Sequence, residues 1–369
     1  MGNLFDWLAW RGDITLSQLP FGEVDNLALS VLAYLPLDGI VPGLDEKRGI
    51  CLRDAAEAFF KNANLQDSVR DEQDKDFLRA LAASERFGPL ELFAASSLLD
   101  NETETQFAAL TVDTGDRHLF VAFRGTDMSL TGWKEDFNMS FMDTVPAQLE
   151  AVKYLDRVAR LRRGRLRVGG HSKGGNLAAF AAAFTTPRVQ RRIVAVWNND
   201  GPGFNANIVA ERGYAIIKDR LYSFIPQSSV VGMLLEHEEA VTVIRSSRTG
   251  ILQHDPYSWI VEGGHFARAE ELDSSSLFID RTLKDWLASM PAEKRGAVIE
   301  ALYEIILSTE SRTVLELASN WVRNAGTIIH RFNTIDSETR TMILEAAGLL
   351  FKAARKNMPL AFKDRNSPE

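Results

Sequence analysis

The residues best suited to chemistry stand together at Gly170-His171-Ser172-Lys173-Gly174. They follow a β-like run at 165–168 and precede an Ala- and Phe-rich run at 176–184. This spacing predicts a strand, a sharp turn and a helix, the arrangement of a nucleophile elbow. Such a turn holds its serine in a strained backbone conformation with Oγ clear of the sheet, at a cost on the order of 1–3 kcal/mol. Strand and helix then approach too closely for side chains at Gly170 and Gly174. The N–H groups of the helix start face the site and suit a developing negative charge. The chemistry implied is attack by the Ser172 hydroxyl, which requires a base, an acid to orient that base, and oxyanion donors. A serine flanked in this way arises by chance in roughly one chain in ten of this length. The alternative is a glycine-rich turn with a capping serine, so the surrounding elements have to decide.

Those elements form a consistent set. Residues 107–112 and 119–123 are strand-like and joined by the hairpin turn Asp113-Thr-Gly-Asp116. The second runs into Arg124-Gly-Thr-Asp127, where a backbone N–H leaving a central strand can face an oxyanion. A helix at 146–163 turns Leu149, Val152, Leu155 and Ala159 inward. Residues 193–197 make a continuous apolar strand ending in Asn198-Asn-Asp-Gly-Pro-Gly203. The strand at 221–225 ends in Pro226-Gln-Ser-Ser229, and that at 240–244 leads to Gln253-His-Asp-Pro256. Strands alternating with helices predict a mostly parallel α/β sheet, whose reactive groups sit beyond the strands' carboxyl ends. The 124–127 loop, Ser172, Asp200 and His254 all fall at such ends.

The remaining chain carries less chemistry. Residues 1–42 predict a helical cap, with helices near 4–11 and 22–34. Residues 43–105 are expected to be mostly helical and solvated, and Cys51 to be a small apolar residue rather than a nucleophile. The apolar segment 128–144, with Trp133, Phe137, Met139, Phe141 and Met142, suits either a mobile lid or a fixed element. Residues 271–369 predict four helices with a buried stripe that includes Leu302, Ile305, Leu315, Leu317, Ile329, Leu344 and Leu350. Two domains are therefore expected, an α/β domain carrying Ser172 at 1–270 and a helical region at 271–369 that packs on it or forms a homo-oligomer.

Composition is that of a soluble globular protein: 369 residues, 45% hydrophobic and 25% charged. A net charge of -8 argues against nucleic acid and against docking on anionic lipid. One cysteine excludes an intrachain disulfide. Neither a signal-peptide pattern nor a stretch of ~20 apolar residues is evident, so a cytoplasmic protein without a transmembrane segment is expected. No cofactor and no metal is expected.

Taken together, Phe123-Arg-Gly-Thr126 ahead of Trp133 and Asp136, with Gly170-His-Ser-Lys-Gly174, resembles the class 3 lipases of the α/β-hydrolase superfamily. The chain is more similar still to an uncharacterised bacterial lipase-like family. That resemblance rests on the segments 5–13, 20–26, 169–178, 199–203 and 253–256, and spans roughly residues 1–265. It implies an α/β-hydrolase fold and a serine-hydrolase apparatus but no particular substrate.

Roles follow from that expectation and from the chain order serine, acid, histidine. Ser172 is the nucleophile. His254, in the loop after the last strand, is the favoured base, with His265 and His237 as alternatives; His237 sits in a charged run expected to be solvated, and His330 in the helical tail is expected to be structural. The acid position of class 3 lipases falls at Pro226-Gln-Ser-Ser229, which has no carboxylate. Asp200, one strand earlier, resembles the acid of another lipase branch, and adjacent strand ends lie only ~5 Å apart. Asp219 and Glu236 remain alternatives. The resemblance implies the backbone N–H groups of Lys173 and Thr126 as oxyanion donors. The Lys173 side chain replaces the leucine usual in lipases; an anionic substrate head group or a surface carboxylate would partner it. Two functions stay open: an esterase or lipase acting on a lipid or other small acyl ester, and a hydrolase-fold binding or scaffold protein with little turnover.

Overall fold

A computed structural model describes residues 2–100, 102–103, 105–126, 134–135, 138–139, 142–309 and 321–359. Its centre is one eight-stranded sheet whose strands lie side by side in chain order: β1 (Ile50–Cys51), β2 (Glu91–Asp100), β3 (Thr105–Asp113), β4 (His118–Phe123), β5 (Arg165–His171), β6 (Ile193–Asn199), β7 (Leu221–Pro226) and β8 (Val241–Ile244). The pairings from β1 to β4 are antiparallel and those from β4 to β8 parallel. The sheet is parallel from β4 onward, as the alternation of strands with helices predicts.

Strand order decides where the helices go. When parallel strands are laid down consecutively and every crossover has the favoured right hand, the crossover helices fall on one face. The helices Pro146–Leu161, between β4 and β5, and Lys173–Phe184, between β5 and β6, share one core with the side chains of Val121, Phe123, Leu166, Val168 and Val196. The alternate residues Phe120, Ala122, Ala195 and Trp197 point to the other face. A parallel sheet is stable only with both faces covered. The N-terminal segment provides that second layer through α1 (Leu4–Arg11), α2 (Glu23–Leu32), α3 (Leu52–Phe60), α4 (Ala63–Asp67) and α5 (Glu72–Ala83). The stretch expected as a cap is thus half of the core, with α2 packed on β4 and β5. Continuing the same numbering, α6 is Pro146–Leu161 and α7 is Lys173–Phe184.

Three local expectations differ from the structure. Residues 43–105 are not mostly helical, because Glu91–Asp100 is the long strand β2. A bulge between Phe93 and Ser96, with Ala94 at φ 56°, breaks its alternation, and Leu98 and Leu99 are exposed, so a period of two never shows in the sequence. Leu149 in α6 faces solvent rather than the core. In the C-terminal region, Met290, Val298 and Ala346 form a small separate core with Trp286, Met342 and Leu349. Its helices meet along that line rather than along the expected stripe. Ile305 is buried, but Leu302, Ile329, Leu344 and Leu350 are exposed; Leu315 and Leu317 lie outside the described residues. Among the described residues no helix is long and apolar enough to cross a membrane.

The N-terminal layer is fixed by a buried ion pair. Arg86 reaches Asp25 in α2 through two hydrogen bonds of 2.5 and 2.7 Å and also donates to the Ile14 and Leu19 carbonyls. Neither side chain is exposed beyond 3%. Burial raises the Asp25 pKa even against the pull of the Arg86 hydrogen bond and charge. Removing one buried partner strands the other, so Arg86→Met is expected to cost about 3–5 kcal/mol by urea denaturation. Asp25→Leu/Arg86→Met should recover most of that loss; a single variant as stable as the parent would contradict this account.

Candidate active site

β5 ends at His171, α7 starts at Lys173, and Ser172 between them has φ 58° and ψ −134°. That backbone conformation is costly for any residue with a side chain, and several contacts hold it. Ser172 N donates to Asn199 O (2.9 Å) and Gly175 N donates to Ser172 O (2.9 Å). A Cβ on Gly170 would stand 2.2 Å from the Gly174 carbonyl carbon, and one on Gly174 would stand 2.1 Å from Phe123 O. Both contacts are shorter than real Cβ atoms show, so β4, β5 and α7 interlock only because these positions lack side chains. Beneath the turn, Asn199 donates to Gly170 O (2.9 Å) and exchanges hydrogen bonds with Asn26 of α2.

Asp200 follows β6 and is itself left-handed, at φ 54°, a conformation that aspartate tolerates better than most residues. Its carboxylate is fully buried and lies 2.6 Å from His254 Nδ1. The other carboxylate oxygen accepts from Ser229 Oγ at 2.5 Å. Ser229 is positioned in turn: its Oγ accepts from Gly232 N, and its carbonyl accepts from Ser276 Oγ on the helix Ser274–Ala288. Next to it, Ser228 N donates to Gln253 Oε1 (2.8 Å) and Ser228 Oγ to Asp273. The 253–256 segment is therefore a set of anchors around the histidine. Gln253 clamps the 228 loop and accepts the Trp259 indole N–H at its carbonyl (3.0 Å), while Asp255 caps Tyr257 N (3.1 Å).

With Asp200 accepting from Nδ1–H, His254 Nε2 is left as a proton acceptor. The His254 side chain is 27% exposed. Its ring centroid lies 4.7 Å from that of His171, the residue before Ser172. Among the described residues the half-buried Ser172 hydroxyl makes no hydrogen bond. The structure thus brings Asp200 and His254 into contact beside the elbow, with Ser172 nearby but not bonded to either.

The other candidates lie elsewhere. Asp219 is exposed at the opposite, amino end of β7, and Glu236 is exposed, with its backbone paired to Phe204. His265 is 77% exposed and lies 3.6 Å from Glu23; His330 is exposed on the helix Trp321–Thr334. His237, expected on a solvated face, is 89% buried by its 11% side-chain exposure and lies 2.9 Å from Glu239, which also accepts from Ser223 and Tyr214. Burial pushes the Glu239 pKa up, but the His237 hydrogen bond and charge, with the two hydroxyls, outweigh it and pull the value to about 2.

Lys173 neither faces a substrate nor meets a surface carboxylate. Its Nζ is buried against Glu135 (2.8 Å) and against Gln106 O and Oε1 (2.9 and 2.7 Å). Glu135 also accepts from Gln106 N and Ala147 N, so the pair ties β3 and the start of α6 to the elbow. Thr126 lies just beyond β4, where a Cβ on neighbouring Gly125 would meet Tyr34 Oη and His171 O. Asp127, Trp133, Asp136, Phe137 and Phe141 lie outside the described residues, as does most of the 128–144 segment. Cys51 is half-buried and donates to Gly88 O. Among the described residues no group of three or more His, Cys, Asp or Glu side chains is arranged to hold a metal ion.

A family model described as Mbeg1-like matches residues 81–304. The chain belongs to the Mbeg1-like family. This Mbeg1-like protein is also similar to solved lipase structures. They include M37 lipase (16% identity over 58% of this chain and 70% of that one, TM-score 0.39). A mutant form of MDLA from Penicillium cyclopium is similar at 15% identity over 66% and 84% of the two chains, with a TM-score of 0.39. A Rhizomucor miehei lipase propeptide complex carrying a deletion is similar at 14% identity over 62% and 75%, also with a TM-score of 0.39. No curated protein matches the Mbeg1-like chain.

Sequence reasoning missed Ser229 and Glu135. The signal for Ser229 was present, since a strand end without a carboxylate still offered hydroxyls beside Asp200. Hydrogen bonds to charged groups contribute about 1.5–3 kcal/mol, so Ser229→Ala is expected to lose that much stability in urea; no loss would mean that Asp200 does not depend on it. For Glu239, a folded pKa of about 2 against an ordinary 4.5 means that its stabilisation is present above about pH 4.5 and is lost as pH falls towards 2. Glu239→Gln should therefore flatten the drop in melting temperature over that range.

Proposed function

We propose that this protein is a serine hydrolase that cleaves a carboxylic ester, of a lipid or another acyl ester, through an acyl-enzyme on Ser172. The observation that carries this reading is the 2.6 Å contact between His254 Nδ1 and the buried Asp200 carboxylate, beside a serine held at φ 58°. Ser172 Oγ attacks the ester carbonyl while His254 Nε2 takes its proton. Asp200 keeps the imidazole in the tautomer that accepts at Nε2 and stabilises the imidazolium that forms. The N–H of Lys173, at the positive end of α7, and that of Thr126 receive the oxyanion. Collapse expels the alkoxide, which takes the proton from His254. Water then attacks the acyl-enzyme and gives its proton to His254, which passes it to Ser172 Oγ as the acyl–oxygen bond breaks and the carboxylic acid leaves.

Residues 1–270 form the hydrolase domain on this reading and 271–369 a helical region, supported by the separate small core around Met290 and Ala346. A cytoplasmic site of action fits the sequence expectation. The second reading, a hydrolase-fold binding protein with little turnover, is favoured by one observation: Ser172 Oγ makes no hydrogen bond among the described residues. Hydrogen bonds of catalytic groups often tighten only when substrate is bound, which leaves the first reading ahead.

A fluorophosphonate probe separates the two. The parent protein should label, Ser172→Ala should not, and Asp200→Asn should slow hydrolysis of p-nitrophenyl butyrate on the order of 10⁴-fold in kcat. A folded parent that never labels would sink the catalytic reading.

A further inference from the structure

Beside the triad lies a second histidine that the mechanism above does not use. His171 is buried with both ring nitrogens engaged: Nε2 is 2.8 Å from the backbone carbonyl of His254 and Nδ1 is 3.0 Å from Tyr34 Oη. A carbonyl only accepts, so the proton of a neutral His171 sits on Nε2, and the single Tyr34 hydroxyl proton faces two acceptors of the same residue, Nδ1 at 3.0 Å and the His171 carbonyl at 3.2 Å. Burial, the nearby His254 and the Arg70 charge all hold its pKa well below the usual histidine value, which keeps it neutral. Tyr34 is itself fixed. The Arg70 guanidinium lies 4.0 Å over its ring and pairs with Asp74 at 2.9 Å, and Asp74 accepts from Tyr257 Oη at 2.7 Å. Tyr257 stands three residues after His254. The contacts therefore close a ring from His171 through Tyr34, Arg70 and Asp74 of α5 back to the loop of the proposed base.

We propose that His171 is a positioning residue: its Nε2–H, hydrogen-bonded to the His254 carbonyl and fixed by Tyr34, registers the His254 imidazole against Ser172. This rests on the serine-hydrolase reading. An imidazole hangs from its backbone by two rotatable bonds, and the Asp200 contact fixes only its Nδ1 edge. The His171 bond fixes the backbone end, and two fixed points determine where Nε2 stands. His171 is also the residue covalently joined to Ser172, so nucleophile and base are referenced to a single peptide unit. Tolerances near 0.5 Å matter at such sites, and a displacement of 1 Å can cost on the order of 10²-fold.

The test pairs two variants with two readouts. His171→Met fills similar space without a donor, and His171→Gln carries an amide N–H near the place of Nε2–H. On p-nitrophenyl butyrate, His171→Met should lower kcat about 10- to 100-fold with KM little changed, and His171→Gln should regain most of that loss. The second readout is the low-field proton resonance of the His254–Asp200 hydrogen bond, assigned by its absence in Asp200→Asn. It should shift or broaden in His171→Met and return in His171→Gln. A folded His171→Met that keeps both kcat and the resonance overturns the proposal, as does a Gln variant no better than Met. If His171→Met does not fold, Tyr34→Phe takes its place; it should lower kcat several-fold and broaden the resonance, and an unchanged spectrum overturns the proposal. Should the parent protein fail to label with fluorophosphonate, the hydrolase reading falls, while the resonance still decides whether His171 positions His254.

Discussion

The structure depends on one close approach, where the Phe123 carbonyl, Gly170 and Gly174 meet within contact distances that no side chain permits. It brings the ends of β4 and β5 and the start of α7 to one point. Ser172 is left there as the residue that takes up the turn, in a backbone conformation that local preference would reject. Strain of this kind persists only where the surroundings over-determine it. Here they do: the backbone N–H and C=O of Ser172 are both engaged, Asn199 braces Gly170 from below, and Lys173 is pinned by a buried carboxylate one residue later.

A further set of polar groups around this point comes from the layer that the strand order makes necessary. Consecutive right-handed crossovers cover one face and leave the other bare, and the first ninety or so residues fill it. Apolar cover alone would satisfy burial. Yet α2 turns Asp25, Asn26 and Ser30 towards Arg86 and Asn199, and Tyr34 just beyond it meets His171. Buried polar groups of this sort are costly unless each is satisfied, and once satisfied they admit fewer alternative packings than an apolar face does. The short sequence 20–26 thus has a physical role at a distance, since it sets α2 in one register on the strands that carry the proposed site.

How much of this was legible follows from the reach of the signals. β4 and β6 showed themselves as continuous apolar runs, β5 by the Gly-rich turn that follows it, and α6 because its apolar residues recur at helical spacing. β2 did not, because a bulge and an exposed outer half erase the alternation on which a strand is recognised. Among the candidate site residues, His254 could be singled out by chain order and by its loop after the last strand, and Asp200 by its place at a strand end. Ser229 was marked only by its place at a strand end that lacks a carboxylate, and the partners Glu135 and Tyr34 had no comparable mark. A serine or a glutamate bonding across more than twenty residues leaves no periodic trace, and the buried position of Lys173 contradicts its usual exposed setting.

The proposed acid, Asp200, shows why a strand end is a better unit of inference than a residue position. Class 3 lipases are expected to carry the carboxylate after the strand equivalent to β7; in this chain that end carries Ser229, and the carboxylate stands after β6. The two side chains touch at 2.5 Å, because neighbouring strand ends are about 5 Å apart and a left-handed Asp200 turns its carboxylate across that gap. A serine at the vacated end then becomes a hydrogen-bond donor instead of a defect, satisfying the carboxylate oxygen that faces away from the histidine. The helix Ser274–Ala288 buttresses that serine through Ser276, so a helix beyond residue 270 acts on the same carboxylate from two hydrogen bonds away.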